Sequence, residues 1–157
     1  MSHYATAYIC TKGHVSSSGE EPSATPFCRI CGSEVISKCP NCGSRILGKH
    51  YVDELFFVAP YKLPYYCGFC GNPYPWTRDF LDRGIELLSL EQDLDEESVS
   101  LLKDSFPDLV IESPAATPLA VARYKKFFPK LAQFIQDGLK NIIVEVASET
   151  VKKSLFG

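Results

Sequence analysis

Three pairs of cysteines, Cys28 and Cys31, Cys39 and Cys42, Cys67 and Cys70, share one spacing, and each is followed at once by a glycine, Gly32, Gly43 or Gly71. A gap of two residues lets both thiolates of a pair turn toward one ion about 2.3 Å away, while backbone amides of the knuckle point at the sulfurs. Glycine after the second cysteine permits the turn that closes the knuckle. The seventh cysteine, Cys10, precedes His14 in Cys10-Thr-Lys-Gly-His14, and the histidine stands where a second ligand belongs. Eight donors make two tetrahedral metal sites. An odd number of cysteines does not make a fully paired disulfide framework, so the cysteine count itself points to metal.

Sequential pairing gives one site from Cys10, His14, Cys28 and Cys31 and another from Cys39, Cys42, Cys67 and Cys70, with residues 33–38 as a short shared strand. A competing scheme puts Cys28, Cys31, Cys39 and Cys42 on one ion and leaves Cys10 and His14 to reach Cys67 and Cys70. The sequential scheme is preferred, because each site then unites knuckles from two hairpins, which is zinc-ribbon architecture. Zinc, two ions per chain, fits a Cys3His set on hairpin knuckles better than an iron–sulfur cluster does. Four protein ligands leave no position for water or substrate, so both sites read as structural. The sequence has no G-x-S-x-G elbow, Walker loop or H-E-x-x-H motif, and a non-enzymatic protein is expected. His3 and His50 have no matching partner and read as ordinary surface histidines.

The elements that must hold these ligands divide the chain of 157 residues, because no cysteine follows Cys70 and the composition changes near Trp76. Residues 1–76 are rich in Gly, Pro, Ser and aromatics, with short β-type runs at Tyr8-Ile9-Cys10 and at 55–58, and predict hairpins and loops. Residues 77–157 show apolar residues at helical spacing. Thr77 is expected to cap a helix burying Phe80, Leu81, Ile85 and Leu88. A second helix starts in the acidic run 93–97 and stops at Pro107; a third has Thr117 as cap and Pro118 as its first residue. After a break at Pro129, a last helix carries Leu131, Phe134, Ile135, Leu139, Ile142 and Val146 on one side, and its pattern fades beyond Ala147. The expected class is α+β: an N-terminal double zinc ribbon of β-hairpins, 1–76, followed by an α-helical domain, 77–157. With no long uncharged apolar run and no signal-peptide pattern, a cytoplasmic location is expected.

Charge narrows the choice of partner. Residues 1–76 hold six basic and five acidic side chains, and seven bound thiolates with two dications bring the formal balance to −2, a poor footprint for phosphate. Nine aromatics crowd residues 51–76, and they read as the small core of the second ribbon before they read as a surface for bases or peptide. Residues 78–112 carry three basic and eleven acidic side chains, whereas 113–157 carry seven and three. Packing of one stretch on the other accounts for that division. Arg123, Tyr124, Lys125, Lys126, Phe127 and Phe128 could alternatively face an anionic membrane or RNA, and the stripe of residues 131–146 could pair two copies of the chain. A protein partner is the leading expectation, with nucleic acid second and a membrane surface third.

Laid out this way, the chain resembles a bacterial family known as domain of unknown function 2321. The resemblance spans nearly the whole chain and rests on Cys10-Thr-Lys-Gly-His14, on residues 27–32 and 38–42, on the run from Tyr66 to Thr77 containing Pro73-Tyr-Pro-Trp76, and on Ser113, Pro114, residues 117–120, Arg123, residues 146–150 and Lys152-Lys153. It implies sequential ribbons and a bacterial cytoplasmic setting, and it implies no activity.

Overall fold

The computed structural model describes residues 2–52 and 60–157; the β-type run at 55–58, with Phe56 and Phe57, lies outside them. The architecture is α+β, small antiparallel sheets followed by helices, and the chain divides into two compact units, Met1–Asp79 and Phe80–Gly157.

In the first unit, β1 (Ser2–Thr6) pairs antiparallel with β5 (Leu47–Val52), and β2 (Tyr8–Cys10) lies between β3 (Val15–Ser17) and β4 (Val35–Ile36). Strands this short cannot hold themselves together by ladder bonds alone. Single bridges, Phe27 with Glu34, Lys38 with Arg45 and Tyr66 with Pro73, close a small hairpin around each cysteine pair. The core joins Ala7, Ile9, Ile46, Tyr74 and Trp76 to Cys39 and Cys67, with Tyr61 and Tyr65 packed at its margin. Four of the nine aromatics, Tyr61, Tyr65, Tyr74 and Trp76, thus belong to the ribbon interior, whereas Tyr66 and Phe69 are exposed; inside, the Trp76 indole donates to Pro64 O at 2.8 Å and the Tyr61 hydroxyl to Leu47 O at 2.6 Å. Burial pushes the Tyr61 phenol up to about 12.

Helix α1 (Pro75–Ser89) leaves the first unit and continues into the second. It begins two residues before the expected cap. Thr77 lies within it, fully buried, and its hydroxyl donates to Tyr65 O at 2.7 Å. Phe80, Gly84 and Leu88 face inward, whereas Ile85 turns outward.

The second unit continues with α2 (Glu96–Val110), α3 (Ala116–Phe127), a 3-10 turn at Phe128–Lys130, α4 (Gln133–Val146) and α5 (Glu149–Phe156). Asp95 caps α2, accepting from Ser98 N at 3.0 Å and from the Ser98 hydroxyl at 2.7 Å, and those donors hold its carboxyl below the ordinary range. A depressed folded pKa means stability present above the unfolded value of about 4 and lost as pH falls through the folded one. Asp95→Asn is therefore expected to unfold more easily than the parent at pH 7, with the gap narrowing as the pH falls below about 4, which urea titrations at neutral and acidic pH would measure.

Pro107 does not stop α2. The helix runs on to Val110 because Leu109 and Val110 are buried beyond it, which offsets the ladder bond that proline cannot make. Thr117 is not the cap of α3 either. It lies inside the helix, its hydroxyl donating to Asp108 O at 2.7 Å and accepting from Ser113 N at 2.9 Å, while Ser113 Oγ receives the Ala116 amide at 3.1 Å. In α4 the buried stripe is Ile135, Leu139 and Ile143, covered within the unit, and Phe134 points outward. The stretch where the pattern faded forms α5, capped by Ser148 accepting from Val151 N at 3.3 Å.

Gly84 sits in the middle of α1 against the ring of Phe106, which is fully buried. Alanine is worth about 1 kcal/mol more than glycine in a helix, but its methyl group would enter the Phe106 ring, and overpacking costs about 1–3 kcal/mol. Gly84→Ala is expected to lower the urea midpoint, against the ordinary helix-propensity trend.

Candidate metal centres

The three cysteine pairs fold into one repeated local structure. Gly32 N donates to Cys28 O at 2.8 Å, Gly43 N to Cys39 O at 2.8 Å and Gly71 N to Cys67 O at 2.9 Å. The three glycines have φ of 77°, 77° and 78°, the left-handed region that other residues enter only with strain. Within the knuckles, Ile30 N donates to Cys28 Sγ and Phe69 N to Cys67 Sγ, both at 3.4 Å. Cys10 and His14 form a fourth turn, one residue longer, at the end of the β2–β3 hairpin. Gly13, with φ 93°, supplies its bend, and His14 N donates to Cys10 Sγ at 3.3 Å.

These turns bring the donors together in two sets, Cys10, His14, Cys28 and Cys31, and Cys39, Cys42, Cys67 and Cys70, with the ligand atoms of each set all within 4.8 Å of one another. This is the sequential arrangement. Cys10 Sγ to Cys31 Sγ is 3.7 Å, Cys39 Sγ to Cys70 Sγ 3.8 Å and Cys42 Sγ to Cys67 Sγ 3.7 Å. His14 Nδ1 is 3.4 Å from Cys10 Sγ and 3.6 Å from Cys28 Sγ. A tetrahedron around one ion with metal–sulfur bonds of about 2.3 Å has sulfur-to-sulfur edges of about 3.8 Å. The donor sets therefore match a single four-coordinate ion each. A cluster of several irons spreads its thiolates over different metal atoms and calls for a wider opening.

Burial is divided within the sets. Cys10, Cys28, Cys39 and Cys67 are buried, whereas Cys31 and Cys42 are exposed. Burial pushes the thiol of Cys39 up to about 11 and that of Cys10 above its ordinary value. Hydrogen bonds from the Ser33 hydroxyl and amide bring Cys31 down to about 6. Burial opposes ionisation of Cys67, but the amides of Phe69 and Cys70 and neighbouring thiols bring it down to about 6. Metal ligation asks all seven thiols to ionise, and a dication at the centre of each set supplies the opposite charge that makes this favourable.

Sequence spacing did not single out Ser33 or Asn41. Asn41 lies inside the second knuckle and its side-chain amide donates to Cys70 Sγ at 3.5 Å, across to the opposite knuckle. Its position between Cys39 and Cys42 was the available signal. His3 and His50 stay outside both sets: His3 meets Glu20 at 3.1 Å and stacks on Tyr51, and His50 stacks on Tyr4.

At the level of the whole chain, residues 3–155 match the model of a family described as an uncharacterized protein conserved in bacteria, domain of unknown function 2321. No curated protein and no solved structure shows a significant match.

Proposed function

The chain belongs to that uncharacterized bacterial family, and we propose that it is a non-enzymatic zinc protein whose two metal-held ribbons present a surface to a protein partner. The closed donor sets carry this reading. Every cysteine of the chain is committed to a set of four, so neither an open coordination position nor a spare thiol remains for chemistry. Edge lengths near those of a zinc tetrahedron and a Cys3His composition favour zinc over an iron–sulfur cluster.

Support for a protein partner comes from what the knuckles leave outside. Phe27 and Ile30 on one knuckle, and Tyr66 and Phe69 on another, are exposed apolar side chains, with Ile30 at 77% and Phe69 at 62%. Large apolar groups held outward by rigid turns suit a protein surface. Elemental analysis of reductively purified protein should find two zinc ions per chain, and fewer than about one and a half would sink the zinc reading. Affinity capture should then return a partner that Ile30→Ser, Phe69→Ser loses while its zinc content stays unchanged.

A polyanion reading has its own observation. Lys126 and Lys130 lie over the Phe127 ring at 5.2 and 5.8 Å from its centroid, and Lys140 over Phe156 at 5.3 Å, which gathers three ammonium groups in the second unit. The expected six-residue basic and aromatic face is smaller than its sequence, because Tyr124 is buried and Arg123 donates to Ser105 Oγ at 2.7 Å. Binding to RNA or to anionic vesicles through these lysines would fall steeply with salt. No binding at low salt removes this alternative. Among the described residues no helix is long and apolar enough to cross a membrane.

A further inference from the structure

Between α3 and α5 the second unit carries a groove of about 510 Å3. Val151 is its buried floor, and Pro118 and Ala122 are exposed along its rim. Phe128, which directly follows α3, meets Phe156, the last residue of α5, edge to face with centroids 5.7 Å apart. The C-terminal ends of the two helices therefore coincide, and the helices run parallel. Lys125 and Ser154 stand at that end of the groove, and Glu112 stands at the other, just before α3. Neither Lys125 nor Glu112 has an ion-pair partner among the described residues.

We propose that this groove receives an amphipathic helix of a partner protein, running antiparallel to α3 and α5, with acidic residues in its first turn and basic residues in its last. The proposal rests on the reading of the chain as an interaction module and names its docking element. Two parallel helices present their negative dipole ends together, so an incoming helix is favoured when its positive N-terminal end lies there. Acidic side chains, which helices favour in their first turn, then meet Lys125, and basic ones in the last turn meet Glu112. The charges of the groove and the dipoles of its walls thus select the same direction. From Pro118 to Lys125 the wall is about two helical turns long, enough for three apolar anchors at i, i+3 or i+4, and i+7. The groove is open to solvent rather than enclosed, which suits a helix better than a small molecule.

A phage-displayed library of 16-residue helical peptides, panned on the full-length zinc-loaded chain, tests this. The expected result is enrichment of amphipathic sequences, acidic first and basic last, whose affinity falls at least tenfold on Ala122→Arg, a change on an exposed rim position that helices tolerate. The double variant Glu112→Lys, Lys125→Glu should bind these peptides more weakly, because turning a peptide end for end to meet the exchanged charges sets its dipole along those of α3 and α5. Absence of enrichment, peptides that bind the parent and Ala122→Arg equally, or enriched peptides without charge order would overturn the proposal. Self-association in light scattering that Ala122→Arg abolishes would overturn it too, in favour of a second copy as occupant. A native partner lost on Ile30→Ser, Phe69→Ser but indifferent to Ala122→Arg would leave the module reading standing and sink the groove.

Discussion

Cys39→Ser, Cys42→Ser is expected to empty both metal sites, whereas Cys28→Ser, Cys31→Ser should empty one. The asymmetry follows from where the ligands sit. Cys39 and Cys67 belong to the apolar core of the first unit, in the same cluster as Ala7, Ile9, Ile46, Tyr74 and Trp76. Cys28 and Cys31 lie on a hairpin outside that cluster. Loss of the second site therefore removes the centre around which β2 and the residues before α1 pack, and Ile9 leads directly into Cys10 of the first site. Metal binding in small zinc folds contributes about 10–16 kcal/mol, whereas an apolar core of this size supplies roughly 3–5 kcal/mol, so the metal term decides whether the unit folds. Zinc content should be two ions for the parent, about one for the Cys28, Cys31 variant and near zero for the Cys39, Cys42 variant. Trp76, the chain's single tryptophan and only 3% exposed, reports the same event as a red shift of fluorescence. Equal retention of one ion by both variants would show that the sites fold independently. Excess chelator should reproduce the Cys39, Cys42 phenotype while leaving helical circular dichroism from residues 80–157, which have a buried core of their own around Leu102, Phe106, Ile135 and Leu139.

The metal centres were legible because ligand chemistry writes itself locally. A thiolate pair at a two-residue gap with glycine behind it needs nothing distant to form its knuckle, so the eight donors could be written from spacing, whereas which knuckles share a set depends on the hairpins that bring them together. Helix boundaries were less legible because distant groups decide them. Thr77 and Thr117 have the right chemistry for caps, but each hydroxyl found a carbonyl outside its own helix, Tyr65 O or Asp108 O, and became an interior residue. Ser148 went unread as a cap because α5 has only eight residues and too little apolar periodicity to register. Phe134 and Ile85 fitted their apolar stripes by spacing, yet both are exposed, since which part of a broad stripe is covered depends on the neighbours that arrive. Pro107 shows the same dependence on tertiary burial, which carried α2 three residues past a breaker.

Tyr124→Ala is the substitution expected to damage the second unit most. The side chain is fully buried, the largest so enclosed in the chain's described residues, and its hydroxyl donates to Leu102 O of α2 at 2.9 Å. Burial also holds the phenol well above its ordinary pKa. Two separable terms hold α3 on α2 here. Removing the ring leaves a cavity among α2 and α3 side chains and costs about 3–5 kcal/mol, as aromatic-to-alanine changes in cores do. Removing the hydroxyl alone costs about 1 kcal/mol, because Leu102 O faces the N–H of Phe106 one turn on within α2 and is not left without a donor. In a domain of this size each kcal/mol moves Tm by about 4–8 °C. Tyr124→Phe should therefore melt about 5 °C below the parent, whereas Tyr124→Ala should melt on the order of 15–30 °C below it. Both should keep two zinc ions, since all eight ligands lie in the first unit. A Tyr124→Phe variant as unstable as Tyr124→Ala would place the energy in the hydrogen bond, and the packing account of the α2–α3 interface would fail.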